Sequence, residues 1–271
     1  MAECFNNYGA KRIVCLTEET TEALYLMGEQ DRIVGISGFT VRPSIARKEK
    51  PKVSAFTSAK IDKILALKPD LVLAFSDMQA DITAELVRAG LQVHVFNQRS
   101  VEEIFAMLHS LGGLIGQPQK AAALVAQYQQ NIADCQQQVA NYTTRPRVYF
   151  EEWDDPLIST IKWVAELVEV AGGIDCFPEL SAQAGGKERI IADPQRVIEQ
   201  QPDIIIGSWC GKKFRAERVA EREGWQQIPA VKNKQIFEIK SVDILQPGPA
   251  ALTDGLAQLR KIIGAWVEQY G

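Results

Sequence analysis

Ile64-Leu65-Ala66-Leu67-Lys68-Pro69-Asp70-Leu71-Val72-Leu73 can be laid without gaps on Val197-Ile198-Glu199-Gln200-Gln201-Pro202-Asp203-Ile204-Ile205-Ile206. Each stretch reads as a helix end, a Pro-Asp turn and a strand that is apolar at consecutive positions, as a strand buried on both faces must be. A second echo pairs Ala23-Leu24-Tyr25-Leu26-Met27-Gly28 with Ala165-Glu166-Leu167-Val168-Glu169-Val170-Ala171-Gly172, each after a strand that starts on a basic residue. The two halves of the chain therefore look like copies of one unit.

The same short apolar runs recur along the chain: 12–16, 32–36, 71–75, 93–96, 147–150, 203–206 and 235–239. Helical patterns lie between them, for example Thr20 to Met27 ending near Gly28, Ile82 to Ala89 ending at Gly90, and Val101 to Leu111 ending at Gly112-Gly113. Strands alternating with helices predict an α/β fold with mainly parallel sheets, here as two doubly wound lobes. One stretch breaks the alternation. From Pro118 to about Tyr142, the apolar positions Ala121, Leu124, Val125, Tyr128, Ile132, Cys135 and Val139 keep helical spacing. Such a helix is roughly 35–40 Å long and reads either as a packing helix within one domain or as a rod joining two. With the repeat, the predicted organisation is an N-terminal lobe over 1–116, a linker helix over 117–143 and a C-terminal lobe over 144–271.

The chain has 271 residues, 46% hydrophobic and 24% charged, which matches an ordinary globular protein. Its formal charge is 30 − 34 = −4, with only short basic clusters, which argues against a nucleic-acid surface. No run approaches the ~20 apolar residues of a membrane span. The start, Met1-Ala2-Glu3-Cys4-Phe5-Asn6-Asn7, has no basic n-region followed by an apolar stretch, so the chain as written is expected to be cytoplasmic, or periplasmic or extracytoplasmic if a leader was removed. The five cysteines, Cys4, Cys15, Cys135, Cys176 and Cys210, are scattered without a C-x-x-C pair and read as free thiols.

Ligands of open parallel sheets settle beyond the carboxyl ends of the strands. There this chain carries Thr17-Glu18-Glu19, Ser37-Gly38-Phe39-Thr40-Val41-Arg42, Ser76-Asp77-Met78, Glu151-Glu152-Trp153-Asp154-Asp155, Gly207-Ser208-Trp209-Cys210-Gly211-Lys212-Lys213, and Asp243. Aromatic, acidic and basic residues gathered in this way suit a large ligand with a flat apolar face and a polar periphery. Trp153 and Trp209 read equally as core residues, and the acidic run as a solvated loop. Enzyme signatures are missing: no G-x-S-x-G elbow, no phosphate loop and no G-x-G-x-x-G after a strand. The two histidines, His94 in a strand and His109 on a helix, read as structural. The carboxylates of the Glu151–Asp155 loop leave an α/β metalloenzyme as a reading from another class.

On these residues the chain resembles the substrate-binding proteins of ABC importers for cobalamin, ferric siderophores and haem. The resemblance runs from Lys11 to Tyr270 and is carried by the 12–16, 21–28, 31–36 and 63–74 segments, the long helix, and the 166–173 and 197–206 segments. Glu151-Glu152-Trp153-Asp154-Asp155-Pro156-Leu157-Ile158-Ser159 and Gly207-Ser208-Trp209-Cys210-Gly211-Lys212-Lys213 look most like the cobalamin-binding branch. The resemblance implies a non-enzymatic protein with a corrinoid in a cleft between two lobes, a ferric-siderophore or haem binder being the alternative. It implies no catalytic cofactor and no metal site of the protein's own. Phe39, Met78, Trp153 and Trp209 would make the apolar contacts, and Arg42, Asp77, Glu152, Lys212 and Asp243 would meet the amide and phosphate periphery. Asp81 and Glu217 would dock on the permease. The expected partners are thus a corrinoid or metal-chelate small molecule and an ABC permease, with no nucleic acid and the protein a monomer. A continuous linker helix implies small lobe movement. Haem binders of the family supply a Tyr or His from a cleft loop, and no histidine here lies beyond a strand end, which leaves a tyrosine as the ligand for haem.

Overall fold

The computed structural model describes residues 9–271, so Cys4 lies outside the described residues. Contacts divide the chain into two compact units, one made of 1–98 and 102–127, the other of 99–101 and 128–271.

The first unit is a five-stranded sheet of β1 (Ile13–Cys15), β2 (Ile33–Ser37), β3 (Lys52–Ser54), β4 (Leu71–Phe75) and β5 (Val93–Phe96). The order is β3-β2-β1-β4-β5 with every pair parallel. The strand order reverses between β1 and β4, which makes their carboxyl ends the place where a crevice forms. All residues of β1 and β4 are buried, as expected of strands covered by helices on both faces.

The second unit has β6 (Arg147–Asp154), β7 (Leu157–Ser159), β8 (Ile174–Asp175), β9 (Ile204–Gly207) and β10 (Ile236–Glu238). The order is β10-β9-β6-β7, with β8 beside the start of β6. β8, β9 and β10 run parallel to their partners, whereas β7 folds back antiparallel on the end of β6.

The Pro-Asp repeat has a physical meaning in both units. The Asp70 carboxylate accepts the backbone N–H of Lys11 and Arg12 at 2.8 and 2.9 Å, and its own N–H reaches the Arg12 carbonyl at 2.9 Å. Asp203 does the same with Arg147, accepting its N–H at 2.9 Å and donating to its carbonyl at 2.8 Å. The arginine side chain returns to the helix end in each case, Arg12 to the Leu67 and Lys68 carbonyls and Arg147 to the Gln200 carbonyl. Lys68 and Gln201, at equivalent places, both have φ of 46°. The aspartate thus satisfies strand-start donors that would otherwise lack partners, and fixes the register of two neighbouring strands.

The long helix runs Pro118–Val139, about 33 Å at 1.5 Å per residue, and ends three residues before the predicted Tyr142. Its stripe of buried residues is Ala121, Val125, Tyr128 and Cys135. Its first part belongs to the first unit and its remainder, from Tyr128, to the second. The preceding helix, Val101–Leu114, does not stop at Gly112-Gly113 but passes through both. A Cβ on Gly112 would stand 2.4 Å from the Ala121 Cβ, so the glycine is there for close helix approach and not for termination. Among the described residues no helix is long and apolar enough to cross a membrane. Cys15, Cys135 and Cys176 are buried free thiols and Cys210 is an exposed one.

Candidate functional site

In the first unit the carboxyl end of β1 runs directly into the helix Glu18–Leu26, whose first two turns bury three carboxylates, Glu18, Glu19 and Glu22. Glu18 Oε1 accepts the backbone N–H of Val41 at 3.0 Å and of Arg42 at 2.7 Å. The Arg42 guanidinium then turns to Glu22 and donates Nε to Oε1 at 2.8 Å. Glu19 takes the hydroxyl of Thr17 at 2.6 Å. Burial pushes both Glu18 and Glu19 up to about 7, against the hydrogen bonds that favour the charged form. From the other side, Arg47 Nη1 donates to the carbonyls of Gly38 at 2.7 Å and Thr40 at 2.9 Å. The segment after β2 is therefore pinned at both ends, and it carries Phe39 into solvent with 63% of its surface exposed.

After β4 the chain makes a short turn over Asp77–Gln79, with Ser76 accepting the Met78 N–H at 3.3 Å. Asp77 and Met78 are exposed, Met78 at 55%. Gln79 is fully buried beneath them: its amide donates to the Phe56 carbonyl at 2.8 Å and accepts the Phe75 N–H at 2.9 Å. This glutamine ties β4 to the segment after β3. Sequence reading missed it, because a polar residue one position beyond an exposed methionine carries no mark of burial. Asp81 is exposed in the first turn of the helix Ala80–Arg88.

In the second unit the acidic run is not a loop. β6 continues through Asp154, and the Glu151–Asp154 residues are strand, paired with β7 across the turn at Asp155-Pro156. The register shifts between Glu151 and Trp153, and each of the three strand carboxylates meets its own cation. Glu151 is fully buried and is held by Arg222 through two bonds, Nη1 to Oε2 at 2.6 Å and Nη2 to Oε1 at 2.8 Å. Tyr149 Oη donates to the same carboxylate at 3.0 Å and Trp209 Nε1 at 3.1 Å. Burial and the adjacent Glu151 charge hold the Tyr149 hydroxyl well above its ordinary range. Glu152 pairs at 2.5 Å with Arg189, which is itself buried and also donates to the Ser159 carbonyl at 2.6 Å. Asp154 pairs at 2.6 Å with Lys212.

Lys212 joins the two tryptophans. Its ammonium lies 5.5 Å from the Trp153 ring centre and 5.2 Å from that of Trp209, within cation–π range of both. Trp153 is half-buried, with Nε1 donating to the Asp155 carbonyl at 2.9 Å. Trp209 is 4% exposed and packs edge to face on Phe214, ring centres 4.8 Å apart. Phe214 fits because Gly207 is bare: a Cβ there would stand 1.9 Å from the ring. Asp243, expected directly after the last strand, sits instead on the short helix Ser241–Ile244 and accepts Gln258 Nε2 at 3.2 Å. Glu217 is exposed in the first turn of the helix Ala216–Ala220.

The predicted site residues thus fall into two groups. The structure brings Phe39 and Arg42 onto one segment and Asp77 and Met78 onto one turn of the first unit, and it brings Trp153, Trp209 and Lys212 together in the second. Glu152 is committed to Arg189, and Asp243 lies on a separate element. The cationic partners Arg222 and Arg189 were not foreseen, since each is distant in sequence from the carboxylate it holds. Among the described residues no group of three or more His, Cys, Asp or Glu is placed to hold a metal ion. Glu151, Glu152 and Asp154 of the acidic run are each paired with a cation, Arg222, Arg189 and Lys212 in turn.

Residues 13–242 match the family model described as periplasmic binding protein. An uncharacterized ABC transporter substrate-binding lipoprotein of Bacillus subtilis is 27% identical over 259 residues, 93% of this chain and 80% of that protein. A vitamin B12-binding protein of Vibrio cholerae is 26% identical over 258 residues, 90% of this chain and 86% of that one. Among solved structures, a possible iron-binding periplasmic solute-binding protein of Staphylococcus epidermidis superposes with a TM-score of 0.81 at 24% identity, covering 94% of this chain and 98% of that chain.

Proposed function

The chain belongs to the periplasmic binding protein family, and on that premise we propose that it binds a corrinoid of the cobalamin type outside the cytoplasm and delivers it to an ABC importer. The observation that supports this reading is the kind of surface presented beyond the strands. A corrinoid has a broad apolar ring face with amides and a phosphate at its edge, and it calls for flat apolar contacts flanked by fixed polar groups. Phe39 and Met78 are large exposed apolar side chains at strand ends, with Arg42 and Asp77 beside them. Trp153 offers a half-buried indole with the Lys212 ammonium across its ring. Trp209, deep behind Lys212, would hold that ammonium in place more than touch the ligand itself. Asp81 and Glu217, exposed on first turns of helices, are the proposed contacts to basic residues of the permease.

Titration of the purified protein with cyanocobalamin, followed by corrinoid absorbance and tryptophan fluorescence, is expected to give a saturable response at micromolar ligand. Parallel titrations with haem and a ferric hydroxamate separate the alternatives. Saturation by either of those, with none by cyanocobalamin, overturns the corrinoid reading in favour of a metal-chelate binder.

A further inference from the structure

The segment that carries Phe39 and Arg42 lies outside the strands over residues 39–42; beyond the backbone bond from Thr40 to the Ser37 carbonyl, side chains hold it. Glu18 reaches it from the first turn of the helix after β1 and accepts two successive backbone N–H groups, Val41 at 3.0 Å and Arg42 at 2.7 Å, on one oxygen. Glu22, one turn later, holds the Arg42 guanidinium at 2.8 Å. Arg47 holds the Gly38 and Thr40 carbonyls at one end; at the other, one carboxylate sets the backbone at Val41 and Arg42 and a second sets the Arg42 side chain, on a segment that projects Phe39 and Val41 into solvent at 63% and 41% exposure.

We infer that Glu18 is the positioning residue of the ligand-facing segment 39–42, and that it holds that segment only while its carboxylate is charged. The proposal rests on the reading of Phe39 and Arg42 as ligand contacts for its functional meaning, but not for its mechanism. A carboxylate accepts two N–H bonds as charge-assisted bonds, about twice as strong as those of a neutral acceptor. A protonated carboxyl keeps acceptor capacity but loses that assistance, and its new O–H donor has two donors in front of it. Released N–H groups face water on an exposed segment, so the cost of letting go is small. The charged groups that bear on Glu18 are Glu22 and Glu19 on its own helix, both of which oppose its charge; the Arg42 guanidinium is turned to Glu22. Burial raises the Glu18 carboxyl to about 7, so the change of charge falls within ordinary working conditions. Ordering of the segment and proton release are therefore linked: each favours the other.

The test reads the two amides directly. Hydrogen-exchange protection of the Val41 and Arg42 N–H, corrected for intrinsic rates, is expected to fall roughly 3–10-fold from pH 8 to pH 6, while the β4 amide of Val72, bonded to the Gln92 carbonyl at 2.9 Å, shows no such fall. Glu18→Gln should abolish the slope and leave protection at its low-pH value; Glu19→Gln should preserve it. Flat protection in the wild type, or an undiminished slope in Glu18→Gln, overturns the proposal. If Glu18→Gln fails to fold, the Glu18 carboxyl carbon can be titrated by NMR in the wild type, and a midpoint that differs from that of the two amides overturns it equally. Cyanocobalamin affinity should follow the same pH curve in the wild type and lose it in Glu18→Gln. Absence of corrinoid binding at every pH refutes the ligand reading and leaves the amide result to decide the role of Glu18.

Discussion

Beyond the strands of the first unit, three carboxylates, Glu18, Glu19 and Glu22, are buried close together at the start of one helix, and Glu22 is paired with Arg42. Beyond those of the second, Glu151, Glu152 and Asp154 stand on one strand and are distributed to Arg222, Arg189 and Lys212. Both units share the Pro-Asp register device, but the second adds the antiparallel β7 at the end of β6, where its carboxylates stand. The first concentrates negative charge where water is excluded, and the result is carboxyls whose charge is expensive. The second matches each charge, and the result is a rigid network in which the tryptophans are fixed by the ions they neighbour. The first rim leaves Glu18 and Glu19 raised by burial, and the second gives each strand carboxylate a cation of its own.

The sharpest way to break this comparison is to remove one cation from the second rim. Arg222→Ala strands the fully buried Glu151 carboxylate with only Tyr149 and Trp209 as donors. Loss of one member of such a pair costs about 3–5 kcal/mol, because the remaining charge has nowhere to go. Denaturant unfolding should show a large fall in the midpoint. A change under about 1 kcal/mol would mean that the network does not carry the stability its geometry implies.

A pH series tests the first rim. Glu19 is raised from 4.5 to about 7, chiefly by burial, so the folded state holds a proton that the unfolded state gives up across that interval. The stabilisation is fully present below about 4.5 and is lost as pH rises through about 7. Melting temperature should therefore rise as pH is lowered from 8 to 5.5, and Glu19→Gln should reduce that rise and gain about 3 kcal/mol at pH 8. Asp175 in the second unit is also raised by burial, which makes the difference between wild type and variant the decisive quantity. A slope identical in both would remove Glu19 from the account. Glu18 acts in two directions at once: its protonation favours the folded chain as a whole while loosening the segment it holds.

How much of this could be read from residues alone follows from range. The Pro-Asp turns were legible because turn, strand and helix end are contiguous, and the apolar strands because burial on two faces leaves an unbroken apolar run. β3, β7 and β8 were not, since Lys52–Ser54, Leu157–Ser159 and Ile174–Asp175 are too short to show any period. The end of β6 was misread for a different reason. A strand that pairs antiparallel at its tip can carry Glu, Glu, Trp and Asp, because partners from elsewhere neutralise them, and those partners, Arg189 and Arg222, are 37 and 71 positions away. At the first rim, Glu18 and Glu19 were visible as unusual residues after a strand. Their role was not, because it depends on the backbone of Val41 and Arg42, which carries no side-chain signature.

The smallest expected effect on stability belongs to the residue that the comparison leaves most exposed. Phe39 has 63% of its surface in solvent and sits on a segment held by its backbone and by Arg42, with its own ring contributing little. Phe39→Ala should therefore change unfolding free energy by less than about 0.5 kcal/mol, as surface substitutions do. If the ring is a ligand contact, the same substitution should weaken cyanocobalamin binding by about 1–3 kcal/mol, a separation that no core residue can show. Equal affinity in Phe39→Ala and wild type would remove Phe39 from the site. A large loss of stability would instead mean that the ring is part of what holds the segment, and that the two rims differ less than their hydrogen bonds suggest.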